Sequence, residues 1–385
     1  MLRVLLWLGQ FVVVAPSVYE TLVSLFGLRT PPEPQPGPGT TPIRVVVPAR
    51  NEAVVIEGIA ADLAAQDYPR ERLDAWVIAD RSSDATARLA SAHVSVAERS
   101  DGVGGKGAAI SWFLAQHPLR DGEALVVLDA DNRIDTTFIR SIATALESGH
   151  HSIQTYLDVS NPDASVLTLA NALTYWASNR SVQLARSNIG WSCDLGGTGM
   201  AVSSKALAAV GGFEDDLTDD LALNVRLNLA GYRTHWMHHV HVRDEKPTAT
   251  EETVRQRARW VRGKRDVQRR HGGQLFRTAL RQKELSLLDL GFRLYNPGRS
   301  FLALLIIGLA VVAAVFPNLG LWPAWLLGPI AAVVVLLPVA FLAIDGVPGR
   351  YLIRYPYVVT IGLLWLPIRV ASRLVGSWRR TPHTG

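Results

Sequence analysis

Ala124-Leu125-Val126-Val127-Leu128-Asp129-Ala130-Asp131-Asn132 decides how this chain is read: an apolar run breaks off into two carboxylates two positions apart. A short apolar run bounded by polar residues reads as a buried strand. On a continuing strand Asp129 and Asp131 would share a face. Hard oxygen donors in that spacing suit Mg2+ or Mn2+ carrying a diphosphate. A plain strand-end turn, with Asp and Asn capping the next helix, is the competing reading. Upstream, Ile43-Arg-Val-Val-Val-Pro48 and Ala75-Trp-Val-Ile-Ala79 also read as strands, with helical spacing over 51–65 and 83–93. Strands alternating with helices predict an α/β domain with a mostly parallel sheet covered on both faces. In such sheets ligands bind beyond the carboxyl ends of the strands, where the polar stretches of this chain fall.

Asp80-Arg-Ser-Ser-Asp84 ends the second strand. It fits either a helix N-cap or charge-assisted hydrogen bonds to a base or ribose. Gly104-Gly-Lys106-Gly precedes a helix but lacks the GxxxxGK[ST] spacing, which excludes a P-loop. Lys106 there can still approach a diphosphate.

Outside residues 43–282 the composition changes. The 385 residues carry 39 basic and 34 acidic side chains, a net charge of +5, 48% hydrophobic and only 19% charged residues. Mean hydropathy is +0.15, so an ordinary soluble enzyme and a disordered scaffold are both excluded. The single cysteine, Cys193, excludes an intrachain disulfide and any multi-cysteine metal centre. Val4–Leu28 is an apolar run interrupted by one acid, Glu20. It is long for a signal peptide and has no clear small-x-small cleavage site, so residues 1–29 read as a retained transmembrane helix. Residues 30–42 hold six prolines and form a semi-rigid spacer. Residues 283–299 read as an interfacial helix. Residues 300–344 read as a transmembrane hairpin turning at Pro317-Asn318-Leu319-Gly320, because Phe301–Ile344 contains no charge. Bends are predicted at Pro323, Pro329 and Pro338. Residues 345–385 read as an interfacial or re-entrant helix, Tyr355–Ile368, and a tail with Arg373, Arg379 and Arg380; a fourth crossing is the alternative. Arg293 and Arg299 before the hairpin, and Arg350 and Arg354 after it, place both ends in the cytoplasm by charge bias.

Taken in order, these pieces resemble glycosyltransferase family 2, the inverting GT-A enzymes that use sugar nucleotides. Val45-Val-Val-Pro48-Ala-Arg-Asn51-Glu52 is similar to that family's first strand and P-x-x-N-E turn, Asp80 to its nucleotide-binding aspartate, and Asp129 and Asp131 to its DxD. Gly196-Gly197-Thr198-Gly199-Met200 is similar to the small-residue loop beneath the acceptor. Thr218-Asp219-Asp220 resembles the TED motif, with Asp where the family usually has Glu, and Gln256-Arg-Ala-Arg259-Trp260 is an intact QxxRW. The likeness covers roughly 43–263. With membrane segments on both sides, it extends to the synthases of cellulose, chitin and hyaluronan and to smaller exopolysaccharide and glycolipid enzymes. It implies a Rossmann-like GT-A catalytic domain at the cell membrane, multi-pass and facing the cytoplasm.

The resemblance assigns Asp220 as general base. It assigns Pro48, Asn51, Glu52, Asp80, Lys106, Asp129, Asp131, Gln256, Arg259 and Trp260 to the nucleotide sugar, and Gly197, Thr198, Gly199, Asp219 and Trp260 to the acceptor. Asp131 and Asp129 would hold Mg2+ or Mn2+. The implied reaction transfers a sugar, glucose or N-acetylglucosamine favoured, from a UDP-sugar to a lipid or growing glycan, leaving a β-linkage. A processive polysaccharide synthase subunit and a non-catalytic membrane subunit with a vestigial domain are the alternatives. With so few spans for a self-contained polymer channel, a homo-oligomer or an export partner is a candidate partner of the favoured enzyme. Gln256, Arg259 and Trp260 share a helix face by spacing. A basic amphipathic helix lying on lipid accounts for the surrounding arginines equally well. No nucleic-acid partner is expected, since no RNA- or DNA-binding motif is present. His235, His238, His239 and His241 match no zinc spacing, and Cys193 reads as a packed small residue.

Overall fold

The computed structural model describes residues 2–213 and 218–364. Two helices, α1 (Leu2–Gly9) and α2 (Phe11–Ser24), lead through a 3-10 turn to the proline-rich segment. The domain then alternates β1 (Ile43–Ala49), α3 (Ile56–Ala64), β2 (Leu73–Asp80), α4 (Thr86–Ala90), β3 (Ser95–Arg99), α5 (Lys106–Gln116) and β4 (Ala124–Val127). Next come β5 (Arg133–Ile134), α6 (Phe138–Glu147), β6 (Ser152–Val159), α7 (Val166–Ser178), a π-helical turn (Asn179–Leu184) and α8 (Ala185–Asn188). β7 (Met200–Ser203), α9 (Ser204–Ala209), α10 (Asp219–Leu229) and β8 (Thr234–Asp244) complete the sheet. α11 (Thr250–Gln282), α12 (Leu285–Tyr295), α13 (Arg299–Val315), α14 (Ala324–Ile344), α15 (Gly349–Leu352) and α16 (Pro356–Ile361) follow.

The sheet order is β3-β2-β1-β4-β7-β6-β8-β5. β1, β2, β3 and β4 are parallel to their neighbours on one another, as are β6 and β8, while β7 and β5 run antiparallel. β1 is buried along nearly its whole length because Val45, Val46 and Val47 face helices on both sides. One face packs on α3 and α6, the other on α5, α9 and α10. Arg44, at the amino end of β1, is buried but paired with Asp74 at 2.9 Å and Glu123 at 3.2 Å. β4 pairs β1 only over Ile43–Val46. Beyond that point the two strands part, and Pro48, which has no N–H to donate, sits where no bond to β4 is needed. The chain winds away on opposite sides of β1, so this parting is the switch-point crevice of the sheet.

Three local expectations change. α3 starts at Ile56, because Asn51 holds a left-handed backbone (φ 55°) that no helix admits. The helix expected over 83–93 contracts to Thr86–Ala90, since Asp84 accepts from the Thr86 N–H at 3.0 Å and closes the turn before it. Asp129 and Asp131 do not continue the strand: β4 ends at Val127, and the Asp129 N–H donates to Asn132 Oδ1 at 2.8 Å, bending the chain into a turn.

Among the described residues, two helices are long and apolar enough to cross a membrane, the broken Val4–Leu28 and Ala324–Ile344. α12 and α13 together make a third if their 70° bend lies within one span. α14 runs as one helix through Pro329 and Pro338, where the sequence predicts bends, and Pro323 precedes it; membrane helices tolerate proline when neighbours satisfy the freed carbonyls. Val14, Ile306, Leu327 and Ala331 form the contact among α2, α13 and α14. α12, expected simply to lie at the interface, buries Leu287, Leu290 and Leu294 against α10 and α11. The C-terminal helix is described only as α16 and a 3-10 turn to Leu364, and Arg373, Arg379 and Arg380 lie outside the described residues.

Glu20 explains its place in an apolar run. It is 5% exposed and meets Arg186 at 3.2 Å. Arg186 also pairs with Asp289 at 2.8 Å, and Asp289 with Arg293 at 2.9 Å. Arg293 reaches Asp194, in the loop that leads to Gly196. Tyr19 adds a hydrogen bond to Asp289 at 2.6 Å. A second tie joins Arg180 in the π turn to Asp345 at the end of α14 and to the Gly27 carbonyl. Both apolar helical segments are thereby fixed to the domain by buried, mutually neutralised charge.

Candidate active site

The carboxyl ends of β1, β2, β4 and β8 and the amino end of α10 converge on one crevice. Lys106, the first residue of α5, is the hub. Its ammonium pairs with Asp129 and donates to the Gly197 carbonyl at 2.8 Å. Burial opposes its charge, but Asp129, Asp219 and Asp220 together hold its pKa above the ordinary lysine value.

Asp219 and Asp220 occupy the first turn of α10, where the helix dipole favours anions. Asp220 accepts from the Leu221 N–H at 2.8 Å. Burial, with the Asp219 charge adding to it, pushes the Asp220 carboxyl up to about 6. A Cβ at Gly197 would lie 3.2 Å from Asp220 Oδ2, and Gly197 has φ +84°. Glycine at this left-handed position lets the Gly196–Gly199 loop run this close to that carboxylate. Arg259 of α11 is near enough to favour the charged forms of Asp219 and Asp220. Gln256 and Trp260 lie on the same helix, with Trp260 36% exposed.

The loop Gly196–Gly199 and the turn at Asp129 are held by residues whose weight the sequence does not disclose. Gln154, wholly buried in β6, accepts from the Gly196 N–H at 2.7 Å and donates to the Thr198 carbonyl at 2.9 Å. Thr198 Oγ1 accepts from the Asp129 N–H at 3.0 Å and donates to Asn132. Asp244, the last residue of β8, is the other addition. It faces the crevice beside Asp131, its Oδ2 pairs with Lys246 at 2.6 Å, and its buried Oδ1 has no hydrogen-bond partner. Burial, reinforced by Asp129 and Asp244, pushes the Asp131 carboxyl up to about 7. Burial likewise raises Asp244. An acid closing a strand, as Asp80 also does, is the signal that would have found it.

This crowding of carboxylates fits a hard divalent cation in donor chemistry. Among the described residues, no three His, Cys, Asp or Glu side chains gather closely enough to enclose one by themselves. Part of the shell would fall to ligand oxygens, as Mg2+ sites commonly allow.

Asn51, Glu52 and Asp80, the residues that the family resemblance assigns to the nucleotide, lie at the ends of β1 and β2. Asn51 Oδ1 accepts from the Ser83 N–H at 2.7 Å, and its own N–H donates to Ser82 at 3.0 Å. The Glu52 N–H donates to Thr86 at 2.8 Å. These two residues therefore clamp the β2–α4 turn. Asp80 is buried, with its carboxylate met by Arg81 at 2.9 Å and Arg99 at 3.3 Å. Arg81 itself takes a left-handed backbone, φ 53°.

The four histidines of β8 go separate ways. His235 stacks on His150, His238 meets Asp345, His239 meets the Pro31 carbonyl, and His241 pairs with Asp158. Cys193 is fully buried, and burial pushes its thiol up to about 12, which suits packing and not nucleophilic attack.

Comparison with known proteins gives the following. A family model described as glycosyltransferase like family 2 matches residues 38–263. A β-monoglucosyldiacylglycerol synthase from Trichormus variabilis is 30% identical over 234 residues, which are 57% of this chain and 48% of that protein. A Synechocystis enzyme of the same description is 29% identical over 236 residues, with 57% and 47% covered. The chain thus spans about half the length of these relatives. A probable glycosyltransferase, YdaM, from Bacillus subtilis is 23% identical, covering 72% of this chain and 68% of its own. Among solved structures, a mannosyltransferase from Pyrobaculum calidifontis in complex with GDP-Man and Mn2+ superposes over 97% of this chain and 99% of its own. The TM-score is 0.60 at 19% identity, a likeness of fold alone.

Proposed function

The chain belongs to glycosyltransferase family 2, and on that premise we propose that it transfers a sugar from a UDP-sugar to a lipid acceptor at the membrane, inverting C1. Glucose is the favoured sugar and a diacylglycerol-type hydroxyl the favoured acceptor. The names of the Trichormus and Synechocystis relatives support both. The catalytic domain faces the cytoplasm, where UDP-sugars are found.

The observation that carries the reading is the meeting of Asp220, Gly197, Lys106 and Asp129 at one point. The leaving diphosphate gains negative charge as the C1–oxygen bond breaks, and the sugar takes on oxocarbenium character. Lys106 is placed to neutralise that charge, with Arg259 on the other wall. A divalent cation held by Asp131 and Asp129 would supply further charge neutralisation at the diphosphate. Asp220, across the loop, takes the proton from the attacking hydroxyl as it bonds to C1. Asp219 and Arg259 set the field around it. Gly197, Thr198 and Gly199 leave room for the acceptor, and Trp260 offers a ring face to a sugar. Pro48, Asn51, Glu52 and Asp80 shape the nucleotide end. A donor that uses Asp80 must take over contacts now made by Arg81.

The test is UDP release by the full chain in nanodiscs containing diacylglycerol, across a panel of UDP-sugars, with products sized by mass spectrometry. The reading predicts release from one donor, a lipid one hexose heavier, and loss of turnover on chelation restored by Mn2+ or Mg2+. A ladder of product masses would make it a polysaccharide synthase. UDP binding without turnover on any donor and acceptor would make it a non-catalytic subunit.

A further inference from the structure

α11 continues well past its site-lining first half. From Arg262 to Lys283 the chain holds eight basic residues and one acid, Asp266. At 100° per residue, Arg262, Arg265, Arg269, Gly273, Phe276 and Leu280 fall on one face. Phe276 packs on Phe292 and Tyr295 of α12, at ring distances of 6.0 and 5.8 Å. Leu285, Phe292 and Tyr295 of α12 are each at least half exposed, and Leu280 is 70% exposed. Their spacing makes one apolar stripe. Three arginines thus border an aromatic and aliphatic strip across two helices.

Two observations say what covers this surface. Phe292 contacts Tyr19 of α2 at 5.8 Å, so the strip is continuous with the N-terminal membrane helix. α12 also leads across a three-residue break into α13, which is apolar from Phe301 onward. Aromatic rings at the boundary, with cations beside them, are the chemistry of a headgroup layer. A nucleic acid would match the charge but leave Leu280, Phe292 and Tyr295 in water.

We infer that the α11–α12 surface docks on anionic phospholipid headgroups and thereby holds the site-lining half of α11 over the crevice. Arg265 and Arg269 lie five to ten residues from Arg259 and Trp260 on one unbroken helix, so a fixed distal half fixes the proximal half. The distance between them is about 8–15 Å. Activity should then depend on the anionic content of the bilayer. The inference rests on the proposed transfer for its kinetic readout but not for its binding readout.

The experiment uses the full chain carrying Leu280→Cys, labelled with an environment-sensitive fluorophore. Native Cys193 is fully buried, so the label reports from position 280. Nanodiscs are prepared with phosphatidylcholine alone and with rising phosphatidylglycerol, each with a headgroup-level quencher. Quenching should rise with anionic lipid and fall back in high salt. The double variant R265Q/R269Q should need several-fold more anionic lipid for the same quenching, as a loss of about fivefold in local partitioning per cation implies. R265K/R269K should respond like the parent chain, which separates charge from a fold defect. On unlabelled protein, donor KM should be several-fold lower in anionic discs and insensitive to lipid charge in R265Q/R269Q. Quenching indifferent to lipid charge, or equal in the Gln variant and the parent, overturns the inference. So does quenching governed by added RNA and not by lipid. Loss of turnover with the quenching response intact would instead count against the transferase reading.

Discussion

At the residue scale, the account depends on where carboxylates lie and what holds them. If Asp220 is the base, it works only when deprotonated, and its raised pKa moves the acid limb upward. kcat/KM should fall as pH drops through about 6, not near the ordinary aspartate value of about 4. A pH profile with its limb near 4 would exclude Asp220 in this environment. Gln154→Leu should lower both stability and kcat, because it strips the Gly196 N–H and the Thr198 carbonyl of buried partners. Each group left unsatisfied costs about 1–3 kcal/mol. Thermal unfolding beside steady-state kinetics would show it, and an unchanged melting point would mean the loop finds other partners. Asp129, Asp131, Asp219 and Asp220 were legible because each stands in a short string with a distinctive order. Gln154 was not, because its partners lie more than forty residues away and one glutamine in a strand carries no local signal. Asp244 closes β8 as Asp80 closes β2, but its nearness to Asp131 came only with the place of β8 in the sheet.

At the element scale, alternating strands and helices gave the parallel half of the sheet directly, since β1, β2 and β4 are apolar on both faces. The antiparallel β7 and the pairing of β6 with β8 were not readable. They depend on long-range register, and β6 and β8 carry polar residues inside. Boundaries failed where side chains overrule periodicity, at Asn51 and at Asp84. Glu20 stood out in the sequence as an oddity, and its partner Arg186 came only with the fold. Glu20→Leu leaves Arg186 with one fewer anion in a buried site, so stability should fall by about 3 kcal/mol. Thermal unfolding in detergent or nanodiscs reads this directly. A variant as stable as the parent would show that Asp289 alone neutralises Arg186.

At the scale of the whole molecule, the apolar N-terminal helix is tied to the loops of the crevice by buried charge. The chain of charge from Glu20 through Arg186, Asp289 and Arg293 ends at Asp194, two residues before the loop at Gly196. Asp194 also receives a hydrogen bond from Asn224 of α10 at 3.4 Å, the helix whose first turn carries Asp220. A lipid hydroxyl arriving from the bilayer would therefore meet a site built jointly by both parts. In the sequence, the apolar segments and the candidate site motifs stand as separate readings. Their physical connection came from buried side chains far apart in the chain. The central claim is Asp220-dependent transfer, and one measurement addresses it most directly: UDP release from UDP-glucose by the parent chain and Asp220→Asn, in the same diacylglycerol nanodiscs, with UDP affinity measured on both. The account predicts a loss of turnover on the order of a hundredfold or more in the variant, with UDP binding retained. Turnover within a few-fold of the parent would contradict it and return the role of base to another group.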